Sequence, residues 1–356
     1  MEAKVNEKQR VISFDVMRII AVMMVVMVHV LSSLMNSPLN SKEFIVSNVI
    51  SGVCRIGVPL FVMISGALML DEKKEITIKE ILFKYVKNIV ILLVFWSVAY
   101  SVFTQASNVV LEKGGVDVKA FLKDCIYGYT HLWFLFMLIG LYLITPILKL
   151  FVNKQNEKFV AYFLILAIIF CLLPKTLDVP IAFLSGKDGI VGGYFQKFSM
   201  GFVLDCTIYY LLGWYVVNVG FKPITRKIIY ILGILGLVYT VFASQFFSTE
   251  TNRVSEIVFN NLSVNIFIYA LAVFSFIYEV FKGKELKCEK AIIKLSGLTF
   301  GVYVVHVAIV IVLTHFLKGQ GLFIRILVEW VIAIVVSFVA TWIISKIPFV
   351  KKVVRG

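Results

Sequence analysis

Charge is scarce in this 356-residue chain. Only 16% of its residues are Asp, Glu, Lys or Arg, against about 25% in an average soluble domain. Proline occurs seven times and histidine four times. A soluble fold of this length needs more polar surface than so few charges supply. The shortage excludes a soluble globular enzyme, a disordered chain and a coiled coil. Cysteine is also sparse. Cys54, Cys125, Cys171, Cys206 and Cys288 are odd in number and form no CxxC. That argues against a disulfide framework and against a zinc site.

What fills the chain is apolar. Hydrophobic residues make up 60% and aromatic residues 14%, and the mean hydropathy is +0.94. Hydrocarbon accepts only helices or closed barrels. The apolar runs here are about twenty residues long, the length of a spanning helix, whereas barrel strands are short and alternating. The fold class expected is an all-α, polytopic integral membrane bundle of about ten helices. The spans are drawn at 12–35, 44–70, 86–106, 131–148, 158–173, 201–219, 228–247, 256–281, 296–317 and 322–345, within one membrane-embedded domain over 1–356. The net charge of +14 would point a soluble protein to nucleic acid. Here it reads as the Lys/Arg excess of cytoplasmic loops, and no nucleic-acid partner is expected. With the N-terminus inside, inner segments hold 23 Lys and Arg and outer segments 10. Both termini are therefore expected to be cytoplasmic. Lys4, Lys8 and Arg10 before an apolar run mimic a secretory signal. The run passes Leu31 without an A-x-A site, so it is read as a retained first span.

Charges and imidazoles inside spans are costly and therefore informative. The first span reads FDVMRIIAVMMVVMVHV. Arg18 and His29 are eleven residues apart, about three turns plus 20°, so they share a face roughly 16 Å apart along the axis. Asp15 lies three residues before Arg18, within pairing reach. For Arg18 alone, snorkelling to headgroups is the simpler reading. Together with His29 the stripe points to function, since histidine suits proton transfer near neutral pH. The second span carries Arg55 near its middle, facing either a cavity or a carboxylate such as Glu329 or Asp205. Ser65-Gly66 follows, and Gly66 reads as a close-packing position. The fourth span opens with His131 and Trp133 near the outer interface. In the ninth, Tyr303 and His306 are three apart and share a face, with Ser296 seven residues before Tyr303. His315 reads as structural.

These motifs resemble the acyltransferase-3 family of integral-membrane acyltransferases. R-x10-H matches Arg18 to His29, with Asp15 preceding. R-x3-P and a following Ser-Gly match Arg55, Pro59, Ser65 and Gly66. HLWFL matches His131 to Leu135. S-x-G-x-Y-x2-H is approached by Gly301, Tyr303 and His306, with Thr299 or Ser296 in the serine place. The resemblance covers about residues 10 to 345. It implies transfer of an acyl group, usually acetyl from acetyl-CoA, to a hydroxyl of a sugar or glycan. Acetyl-CoA would be a co-substrate and no metal is implied. Some members carry a fused esterase-like domain. None is seen here, so direct transfer, a separate extracytoplasmic partner or a homo-oligomer all stay open.

On that resemblance, His29, Arg18 and Asp15 form the expected catalytic set, with His29 as general base or acyl carrier. Arg18 and inner lysines would hold the donor's phosphates. Arg55, Ser65, Tyr303 and His306 are expected at the acyl-CoA or the oxyanion. His131 and Trp133 are expected at the acceptor, a cell-envelope polysaccharide or lipid-linked sugar. A bacterial plasma membrane is the expected location. Two other readings stand beside it. One is a transporter of an anionic or sugar-like solute, against which stand the lack of a visible repeat and of a Pro/Gly-broken helix pair. The other is a sensor or anchor without catalysis, in which His29 is structural.

Overall fold

The computed structural model describes residues 11–110, 114–187, 189–200, 205–252, 254, 256–348 and 350–354. Among them the regular structure is entirely helical. The helices of seven residues or more are α1 (Ile12–Leu31), α2 (Lys42–Cys54), α3 (Gly57–Met69), α4 (Lys87–Val110), α5 (Val118–Tyr127), α6 (Trp133–Lys149), α7 (Glu157–Ala167) and α8 (Leu173–Ser185). They continue with α9 (Ile190–Gln196), α10 (Thr207–Asn218), α11 (Pro223–Thr251), α12 (Val264–Phe281), α13 (Glu289–Ser296), α14 (Thr299–Phe316) and α15 (Glu329–Lys346). Nine stretches among the described residues are long and apolar enough to cross a bilayer. The chain is a polytopic helical membrane bundle. The tenth expected span, 201–219, is represented by the twelve residues of α10, about 18 Å of helix. Its expected start at 201–204 lies outside the described residues.

Helix α1 forms the centre. Met17, Ala21, Val22 and Val26 are fully enclosed, and α2, α3, α12, α13, α14 and α15 all pack on it. Outer helices show the opposite face to lipid. On α15, Val331, Val335 and Val339 recur every four residues and are about half exposed, as a lipid-facing stripe requires.

The second span, drawn as one stretch over 44–70, is broken into two helices. Helix α2 starts at Ser41, whose side chain accepts from the Phe44 amide, and it stops at Arg55. Pro59 explains the stop. Its ring clashes with the carbonyl four residues back, which is that of Arg55, and it offers no amide hydrogen. In the first turn of α3 the same proline is tolerated. The fifth span is longer than expected. It was drawn to end at 173, but the helix continues through Pro174, which sits in the first turn of α8 after a π segment at Ile168–Leu172, where its missing N–H costs little.

Helices α3 and α10 cross at two glycines. A Cβ on Gly66 would lie 1.8 Å from the Tyr210 carbonyl oxygen, and one on Gly213 would lie 1.9 Å from that of Met63. Gly66 is thus the close-packing position its neighbours implied. Both obstacles are backbone atoms, so nothing flexible can yield. Gly66→Ala is expected to cost about 3 kcal/mol or more, the top of the overpacking range. Thermal unfolding in detergent checks this, and an unchanged midpoint would contradict the crossing.

Candidate functional site

The inner end of α1 is tied to the turn before α14. Asp15 is 1% exposed. It accepts from the Ser296 hydroxyl at 2.6 Å and from Arg18 Nη1 at 3.3 Å. Helix α13 ends at Ser296, so the expected ninth span starts three residues later, at Thr299. Thr299 donates to the Ser296 carbonyl at 2.8 Å. Of the two serine candidates, Ser296 therefore makes the bond across to α1, and Thr299 caps the local turn.

Arg18 opens onto a cavity of about 900 Å³. Basic side chains from three separate parts of the chain share that lining: Lys74 and Lys84, then Lys294, then Lys346. Lys74 and Lys84 lie 5.1 Å and 5.4 Å from the ring centre of Tyr85, which also lines the cavity. Further lining comes from Ser65, Phe134, Leu138 and Tyr303. The arrangement is a largely apolar cleft with cations on its walls. Such a shape suits a ligand with an anionic part and an extended apolar part.

Three histidines from separate elements meet beyond Tyr303. His29 is on α1, His306 on α14, and His131 in a single 3₁₀ turn, Thr130–Leu132, ahead of α6. Ring centres are 5.0 Å apart for His29–His306, 5.7 Å for His131–His306 and 6.2 Å for His29–His131. All three pairs meet edge to face. His131 was expected near the outer interface, yet it is 3% exposed. Gly128 supplies the reason. Its φ of +76° is open to glycine at little cost, and it turns the chain inward after α5. Trp133, two residues on, points the other way and is 44% exposed, outside the ring cluster.

Hydrogen bonds fix the tautomer of His306. Nδ1 faces the carbonyls of Tyr303 at 2.7 Å and Val302 at 3.1 Å. Carbonyls only accept, so Nδ1 carries the proton and a neutral ring leaves Nε2 as a bare acceptor. Nε2 is buried without a partner among the described residues. Tyr303 was expected to serve as an oxyanion donor with His306. Its hydroxyl is already given to the His131 carbonyl at 2.7 Å. Both N–H and O–H donors of that pair are engaged. Arg55 caps the end of α2 at the Pro59 break, with its guanidinium 4.8 Å from the Phe259 ring centre. Glu329, one expected partner for Arg55, accepts from Thr314 at 2.5 Å.

A family model described as an acyltransferase domain matches residues 11–346. The chain belongs to the acyltransferase-3 family. No curated protein and no solved structure matches it. The family makes the protein a multi-pass membrane acyltransferase. In this acyltransferase-3 chain, the four short motifs converge on one region. Arg18, Ser65 and Tyr303 line the cleft, Asp15 stands behind Arg18, and His29, His131 and His306 form the ring cluster. Inner lysines were expected beside Arg18 without being named, and the sequence does not single out Lys74, Lys84, Lys294 and Lys346 because they are spread over three segments. Sequence reasoning missed Tyr100, which lies in an ordinary apolar run and packs its ring on His131 at 4.6 Å. No group of three His, Cys, Asp or Glu among the described residues is arranged to hold a metal ion.

Proposed function

We propose that the protein moves an acetyl or related acyl group from cytoplasmic acetyl-CoA to a hydroxyl of a cell-surface sugar or glycan. The observation that carries this reading is the cleft. Its lysines belong to segments 71–87, 282–294 and 346–356, the basic segments assigned to the cytoplasm. Its far wall is Tyr303, which packs 6.3 Å from His306, ring centre to ring centre. A coenzyme A thioester has the same polarity. Its phosphates would meet Arg18 and the lysines, and its pantetheine arm would run along α1 towards His29.

Transfer then follows from the ring cluster. The acceptor hydroxyl gives its proton to His29 while its oxygen attacks the thioester carbonyl. The C–S bond breaks, the new ester forms, and the imidazolium returns the proton to the departing thiolate. A second form has His29 take the acyl group itself before passing it on. His306 Nε2, a bare acceptor 5.0 Å ring to ring from His29, can share that proton. Arg55 offers positive charge for the developing oxyanion. Asp15 holds Arg18 and Ser296 in place. The acceptor would reach His29 from the outer side, past the buried ring of His131. The protein would sit in a bacterial plasma membrane with both termini inside.

Binding of coenzyme A to purified protein tests the donor half. Lys84→Glu is expected to raise the Kd about tenfold, and wild-type affinity is expected to fall with added salt. A Kd indifferent to both would remove the phosphate role from the cleft.

A further inference from the structure

Tyr100 on α4 has entered no motif and no step so far, yet it touches two of the three histidine elements. Its side chain is 2% exposed. The hydroxyl donates to the Val304 carbonyl at 2.8 Å and accepts from the Ala308 amide at 3.3 Å. In an uninterrupted α-helix those two groups pair with each other. Here the hydroxyl bridges both groups on a turn that stays α-helical. His306 lies inside the turn so anchored. Its Nδ1 is bonded to the backbone of the same helix, so the backbone of this turn sets the direction of its ring. The Tyr100 ring also meets His131 edge-on at 4.6 Å and is stacked on Tyr129 at 4.9 Å and 20°. One residue therefore bears on His306 through backbone and on His131 through its ring.

We infer that Tyr100 is a positioning residue for acyl transfer, a hydroxyl anchor on α14 that aims His306 Nε2 into the histidine cluster. The inference rests on the acyltransferase reading above. Tyr100 does not line the cleft, so it acts on proton handling and not on donor binding. Removing the hydroxyl takes away the tie between α4 and this turn. The fold survives, the turn is free to shift, and His306 moves relative to His29.

Tyr100→Phe is the test, because it keeps the ring on His131 and Tyr129. The expected result is a kcat lower by about 10- to 100-fold, the size of effect a 1 Å misplacement produces. The Kd for acetyl-CoA should stay within about twofold of wild type, as binding energy spent elsewhere predicts. Histidine ¹⁵N resonances of His306 and His131 should shift in the same variant, while Tyr239→Phe on the lipid face of α11 should leave kcat and resonances unchanged. Wild-type kcat and unmoved histidine resonances in Tyr100→Phe would overturn the inference. So would a lowered thermal midpoint with wild-type kcat per folded molecule, the mark of a purely structural tyrosine. Should Tyr100→Phe fail to accumulate, the wild-type spectrum decides. A His306 ring without a protonated Nδ1 would sink the geometry the inference needs. Wild-type protein that neither binds nor turns over acetyl-CoA would fail the broader reading instead, and the two failures are distinguishable.

Discussion

His29→Ala is expected to lower acyl transfer by about 10²- to 10⁴-fold, the range a positioned general base contributes. The fold should survive. His29 is half-buried near the outer end of α1, and the core of that helix is built by Met17, Ala21, Val22 and Val26. Acetyl-CoA affinity should also survive, because the cleft is lined by Arg18 and lysines and His29 is not among its lining residues. Loss of kcat with an unchanged Kd is the signature of a group acting in the transition state alone. Steady-state kinetics together with equilibrium binding on the same preparation check it. Trapping of an acyl group on wild-type protein would separate the carrier form from the base form.

The second large effect is expected at His306. Asparagine is the informative replacement. Its amide can still donate to the Val302 and Tyr303 carbonyls in place of Nδ1, while Nε2 disappears. The account expects a fall in kcat of about 100-fold, at the low end for acid–base groups, with donor binding unchanged. A thermal midpoint near wild type would show that the helix has kept its local bonds. Wild-type kcat in His306→Asn would leave His29 working alone and turn the cluster into packing.

Much of the bundle was legible in the sequence because hydrocarbon leaves few choices. Long apolar runs had to be helices, and the bounds of α1 and α14 follow from where those runs stop. The three-residue spacing of Asp15 and Arg18 also translated directly into a bond. The break at Arg55 was present in the sequence as Pro59, but a hydropathy reading averages over such a residue. The fifth span ran past its drawn end at 173, because a π segment at Ile168–Leu172 leads into a helix that holds Pro174 in its first turn. His131 was placed too far out. A linear reading puts a residue at a span end near the surface, and only the inward turn at Gly128 buries it.

The site was legible in pieces. Arg18 and His29 share a helix, so periodicity alone relates them. His29, His131 and His306 do not, and nothing local says that three spans bring them within 5.0 to 6.2 Å of each other. The same holds for the cleft's lysines: inner lysines were expected near Arg18, but nothing local says which four meet there. Tyr100 was invisible for a different reason. A tyrosine in an apolar run carries no signal, and its meaning comes only from the Val304 and Ala308 backbone it meets.

The central claim is that this acyltransferase-3 protein uses coenzyme A thioesters at the cleft and does its chemistry at His29. The direct measurement is acetyl-CoA binding and thioester turnover by purified wild type and His29→Ala in lipid nanodiscs. Similar binding by both and turnover by wild type alone are expected. Folded wild-type protein that does not bind acetyl-CoA, or a His29→Ala variant that turns it over at the wild-type rate, would contradict it.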